Sequence, residues 1–137
     1  MVMDVPCAAQ TVRAAARRLT RRYEEALRPT GLTASQYTLL TALTASGGMG
    51  QGGIGAALAF EQTTVTRLVA AMARRGWVRL EPEPGDARRR IVRATEAGLR
   101  LHAAARPLWQ RAQDETLSRL DDGEWEAMRS LLRRLGE

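Results

Sequence analysis

At 137 residues the chain has room for one compact domain or one protomer of an oligomer, and 45% hydrophobic residues argue against disorder. Its formal charge is +6, its isoelectric point is near 11.1, and all 21 basic residues are arginine, whose planar fork suits phosphates and guanine edges; a GC-rich genome yields the same bias, so placement decides. The single cysteine excludes an intrachain disulfide, no apolar run reaches the roughly 18–20 residues of a membrane span, and the first residues lack a charged-then-apolar signal, which together point to the cytoplasm.

The low aromatic content, 4%, and the abundance of alanine and leucine favour a mostly helical fold. A first helix is expected from about Val5 to Leu27. Val12, Ala16, Leu19, Tyr23 and Leu27 recur at spacings of three and four, and Arg13, Arg17, Arg18, Arg21 and Arg22 take the other faces. Pro29 and Gly31 end it. Thr33-Ala34-Ser35-Gln36 then reads as a capping box opening a second helix through Tyr37, Leu39, Leu40 and Leu43, which Ser46-Gly47-Gly48 breaks.

Gln51 to Leu58 is expected to form a third helix, although Gly52, Gly53 and Gly55 each cost about 1 kcal/mol against alanine there. A short turn at Ala59-Phe60 leads to a fourth helix from Gln62. Its inner face would be Val65, Leu68, Val69 and Met72, and its outer face Thr63, Thr64, Thr66, Arg67 and Arg74. A hairpin follows. Val78 and Leu80 alternate with Trp77 and Arg79, Pro82, Pro84 and Gly85 make the turn, and Arg88 to Arg93 return, with Val92 and Ala94 inward. Thr95 caps a fifth helix, roughly Glu96 to Leu120, which Pro107 should kink or restart. Asp121-Asp122-Gly123-Glu124 caps a last helix striped by Trp125, Met128, Leu131, Leu132 and Leu135.

A helix with hydroxyls and a guanidinium at its front end fits a DNA major groove, and an arginine-tipped hairpin fits the minor groove or the phosphates. This is the layout of a winged helix-turn-helix: a mostly α fold with a small β-hairpin wing. Catalysis finds no foothold: no Ser/His/Asp arrangement stands at a recognisable spacing, and the glycines from Gly47 to Gly55 lack a following Lys-Ser or Lys-Thr. With His102 the only histidine, no histidine metal cluster exists, and no cofactor is expected. Glu81 and Glu83, in a proline-rich turn, read as solvated.

Several strings resemble the MarR family of bacterial regulators. Gly31-Leu32-Thr33 with Gln36-Tyr37 and Leu40 looks like its second-helix signature. Thr63-Thr64-Val65-Thr66-Arg67 and then Arg75-Gly76-Trp77-Val78 resemble its recognition helix and strand entry, and Asp86-Ala87-Arg88 with Thr95-Glu96-Ala97-Gly98 resembles its wing and fifth-helix start. The resemblance implies a homodimer in which residues 1–46 and 96–137 form dimerisation helices around a DNA-binding lobe of residues 47–95. It implies a repressor, less often an activator, on a pseudo-palindromic operator, released in many members by a phenolic or other small ligand between the dimer helices and the DNA lobe.

On that resemblance, Arg88 is the minor-groove probe, flanked by Arg89 and Arg90, and Asp86 holds the Arg88 guanidinium in place. Gln62, Thr63, Thr64, Thr66 and Arg67 supply base and phosphate contacts, and Arg74 a phosphate contact or a surface ion pair. Tyr23, Tyr37, His102 and Trp109 are candidates for an effector cavity. Cys7 invites an alternative, since peroxide-sensing members carry a reactive cysteine near the start of their first helix. A second alternative is a helical protein-interaction dimer with a vestigial DNA lobe, supported by the glycines at 52, 53 and 55.

Overall fold

The computed structural model describes residues 3–4 and 6–137, so the expected helix start at Val5 lies outside the described residues. Helix α1 spans Ala8–Leu27, and Gly31 ends the short 3-10 turn after it at φ 77°. Helix α2 spans Ala34–Ser46. The capping box forms as expected: the Gln36 N–H donates to Thr33 Oγ1 at 3.2 Å and the Thr33 N–H to Gln36 Oε1 at 2.9 Å. A two-residue strand β1, Met49–Gly50, precedes α3, Gln51–Leu58, and α4, Gln62–Arg74. Strands β2, Val78–Glu83, and β3, Asp86–Ala94, lead into α5, Glu96–Leu117, and α6, Glu124–Leu135.

The sheet is antiparallel in the order β1-β3-β2. Strand β1 was not expected; two residues cannot display alternation, and glycines surround them. It pairs Met49 with Val92 and Gly50 with Ile91, which fastens the wing to the entrance of α3. Pro82, expected in the turn, instead lies in β2. β2 is an edge strand, where a missing N–H is tolerated, and the register slips between Pro82 and Glu83 before the Pro84-Gly85 turn.

Trp77 also departs from expectation. The alternation put it on the face of Arg79, yet it is 9% exposed and belongs to the core. It precedes the first residue of β2, so the two-residue period does not govern it. Thr95 donates its N–H to the Trp77 carbonyl at 3.0 Å and its hydroxyl to the Gly76 carbonyl at 2.6 Å. Gly98 lies so close that a Cβ would overlap the Trp77 carbonyl oxygen. These contacts give a physical role to glycine and threonine at the α5 entrance.

The core joins α1 and α2 to the lobe through Leu27, Leu39, Leu40, Ile54, Val65, Met72 and Val92, each fully buried and worth roughly 1.5–3 kcal/mol. Helix α5 runs unbroken through Pro107. The carbonyl of Ala103 that loses its donor belongs to an exposed residue and can bond water. The Glu124 carboxylate accepts the Asp121 N–H at 2.6 Å ahead of α6. Every residue of α6 is exposed, its apolar stripe included, and Val12 of α1 is 41% exposed. Among the described residues no helix is long and apolar enough to cross a membrane.

Candidate nucleic-acid interface

Helix α4 seats Val65, Val69 and Met72 in the core with Leu68 half-buried beside them. At 100° per residue, this leaves Thr63, Arg67 and Arg74 on the line farthest from the core, with Thr64 and Thr66 flanking it. All five are exposed. Thr66 Oγ1 donates to the Gln62 carbonyl at 2.9 Å, so its hydroxyl keeps only acceptor capacity for a partner. The Gln62 amide reaches the Gln51 carbonyl at 3.5 Å and links the fronts of α3 and α4.

The turn between those helices is tight. Ala59 caps α3 in the left-handed region at φ 55°, the one non-glycine residue with positive φ among those described. A Cβ at Gly55 would meet the Phe60 carbonyl at 3.1 Å and overlap the Gln62 amide. Of the three suspect glycines, Gly55 therefore serves the turn, whereas a Cβ at Gly52 or Gly53 would meet nothing within 4 Å.

In the wing, Arg88, Arg89 and Arg90 are exposed near the hairpin tip. Asp86 does not grip the Arg88 guanidinium as expected. Its Oδ1 accepts the Arg88 backbone N–H at 3.1 Å, and its other oxygen lies 3.9 Å from Arg89 Nε. An aspartate side chain reaches the amide two residues on without strain, so the Asx turn wins and Arg88 is held by its backbone. Among the described residues Arg67, Arg74, Arg88 and Arg90 make no ion pair. Arg75 lies 4.5 Å over the Trp77 ring and braces the turn into β2.

Sequence reading missed Glu81. It lies on β2 and joins Arg79 Nε at 2.5 Å and Arg93 Nε at 2.8 Å. Hydrogen bonds from Arg79 and then Arg93 hold its carboxyl below the ordinary 4.5. The two prolines that follow it, Pro82 and Pro84, drew it into the turn; the strand register shows instead that it shares a face with both arginines.

The four candidate cavity residues meet between α1, α2 and α5. Tyr37 stacks on His102 at 5.0 Å and on Trp109 at 5.7 Å, and Tyr23 lies 6.3 Å from Trp109. A cleft of about 640 Å³ is lined by Tyr37, His102 and Trp109 with Thr41, Leu58 and Arg106, and Tyr23 lies outside it. His102 Nε2 is 2.9 Å from Thr41 Oγ1, and burial, then the charge of Arg106, pushes its pKa below the usual 6.5. Burial raises both tyrosines above 10.0, and the Tyr23 hydroxyl donates to Gln113. Cys7 is exposed and caps α1 without a side-chain bond. Among the described residues no group of three His, Cys, Asp or Glu could hold a metal ion.

The MarR family model matches residues 30–89, from the 3-10 turn after α1 to the wing tip. The transcriptional regulator HosA of Escherichia coli is 35% identical over 104 residues, which cover 76% of this chain and 77% of HosA. The chain belongs to the MarR family. The helix-turn-helix repressor NicR of Pseudomonas putida is also 35% identical over 104 residues, covering 76% of this chain and 66% of NicR. The Mycobacterium tuberculosis regulator MosR, solved in complex with DNA, aligns with a TM-score of 0.86 at 35% identity over 95% of this MarR-family chain and 93% of its own. The glycines at 52, 53 and 55 do not prevent α3 from forming at its expected bounds.

Proposed function

We propose that the protein is a homodimeric repressor that binds a pseudo-palindromic operator and leaves it when a small aromatic ligand enters the cleft beside Tyr37. One observation carries the DNA reading: α4 anchors one face in the core and leaves Thr63, Arg67 and Arg74 outward, while Arg88 and Arg90 stand unpaired on the same lobe. Two such lobes spaced roughly 34–36 Å apart place α4 in successive major grooves. Gln62, Thr63, Thr64 and Arg67 then read bases or phosphates, Arg74 and Arg89 neutralise phosphates, and Arg88 and Arg90 approach the minor groove. The repressor assignment follows NicR, a repressor by name. The ligand assignment rests on the stacked row of Tyr37, His102 and Trp109, which presents ring faces, and on Arg106, which supplies a positive charge for an acidic substituent.

Gel-shift titration against duplexes from the gene's own neighbourhood tests the central claim. Arg88→Ala should weaken binding by about 1–3 kcal/mol, roughly 5- to 150-fold; an unchanged affinity removes the wing tip from the mechanism. The exposure of Cys7 supports a second reading, release by peroxide through a sulfenic acid, with water as the other product. A Cys7→Ser protein that responds to peroxide like wild type ends it.

A further inference from the structure

The wing carries five arginines, and the structure treats them in two ways. Near the tip, among the described residues, the Arg88, Arg89 and Arg90 side chains make no hydrogen bond, and their one ion pair is the 3.9 Å approach of Arg89 to Asp86. At the base, Arg79 and Arg93 are direct cross-strand partners on the outer face of the sheet, opposite the buried Val78 and Val92. Like charges so placed repel. Glu81 lies between them and takes one with each carboxylate oxygen, at 2.5 and 2.8 Å. Arg93 also donates Nη1 to the Gly47 carbonyl at 2.5 Å, and a Cβ at Gly48 would come within 2.8 Å of that nitrogen. The Gly47-Gly48 pair thus admits the guanidinium against the backbone between α2 and β1. Arg79 adds a long bond, 3.5 Å, to the Ala94 carbonyl. Their side chains are still 52% and 37% exposed, so both charges could reach a polyanion if released.

We propose that Glu81 is a specificity-setting residue: by engaging Arg79 and Arg93 it withholds two charges per lobe from the DNA backbone and fixes the angle of the wing against the helix-turn-helix. Sequence-independent affinity scales with the number of phosphates neutralised, whereas discrimination comes from base edges and groove shape. A lobe that idles two of its wing charges gives up non-specific affinity and gains in the ratio of operator to bulk DNA. The inference rests on the DNA-binding reading above.

The test uses full-length protein and a mixed-sequence duplex, with affinity followed by fluorescence anisotropy from about 50 to about 200 mM salt. Glu81→Gln keeps the shape and removes the carboxylate that pairs with both guanidiniums, leaving only their bonds to backbone carbonyls. Its salt slope should steepen by up to about 1.8 per lobe, at about 0.9 for each added phosphate contact, with tighter binding at low salt. Adding Arg79→Gln and Arg93→Gln should restore the wild-type slope. Arg79→Gln alone, with Glu81 intact, should leave the slope unchanged. A Glu81→Gln protein that keeps wild-type circular dichroism but shows an unchanged or shallower slope overturns the inference and leaves the DNA reading standing. So does a shallower slope for Arg79→Gln alone, since Arg79 would then already touch DNA. Wild-type protein with no salt-dependent binding to any duplex removes both.

Discussion

Single side chains in the wing show how local geometry divides one residue type into two roles. Arg88 and Arg93 are both arginines of β3, yet Arg88 is held only through its amide while the Arg93 guanidinium has two oxygen acceptors. Glu81 makes the difference measurable through pH. Its folded pKa lies below the ordinary 4.5, so in the window beneath 4.5 the unfolded chain binds the proton first. The stabilisation it gives is therefore fully present above about pH 4.5 and lost as pH falls through the lowered value. Wild type should melt slightly above Glu81→Gln at neutral pH, with the gap closing in acid. Solvent exposure and salt screening keep that gap small. A gap that widens on acidification would mean that another group governs this part of the wing.

At the scale of elements, backbone fit separates glycines that look alike in the sequence. Gly98 faces the Trp77 carbonyl, so Gly98→Ala forces the front of α5 off the wing base and should cost about 1–3 kcal/mol. Gly52 and Gly53 face open space on α3, so alanine there should stabilise by about 0.4–1 kcal/mol each. Ala59 reverses the logic: at φ 55°, Ala59→Gly relieves left-handed strain of about 1 kcal/mol. Thermal melts of the four variants check the signs, and a stabilised Gly98→Ala or a destabilised Ala59→Gly would contradict this account of the two turns. The sequence could not sort these cases, because open space and close approach are properties of the packed neighbour. What it does disclose is periodic or chemically marked: α2 with its capping box, α3 and α4 within a residue or two of their expected bounds, and the aromatic row assembled from three helices. It conceals β1, the burial of Trp77 and the pairing of Glu81, which depend on strand register and on where β2 begins.

For the whole molecule, the unsolved term is α6. Trp125, Met128, Leu131, Leu132 and Leu135 form one stripe at helical spacing, and all are exposed, Leu131 at 54% and Leu135 at 65%. A helix of twelve residues is marginal in water by itself. Val12 on α1, the other terminal helix, is exposed as well, and on the dimer reading a second copy of the chain would cover both. Leu131→Glu with Leu135→Glu should therefore split the assembly. Four leucines per dimer at roughly 1.5–3 kcal/mol each would raise the dissociation constant by at least about ten-thousandfold. Sedimentation velocity should show wild type as a dimer at micromolar concentration and the variant as a monomer with reduced helicity. DNA affinity should fall with it, because a lone lobe loses the effective concentration that the second lobe provides. A wild-type monomer with α6 intact, or a double variant that stays dimeric, would place the dimer contact elsewhere and leave the spacing of the two recognition helices without its scaffold.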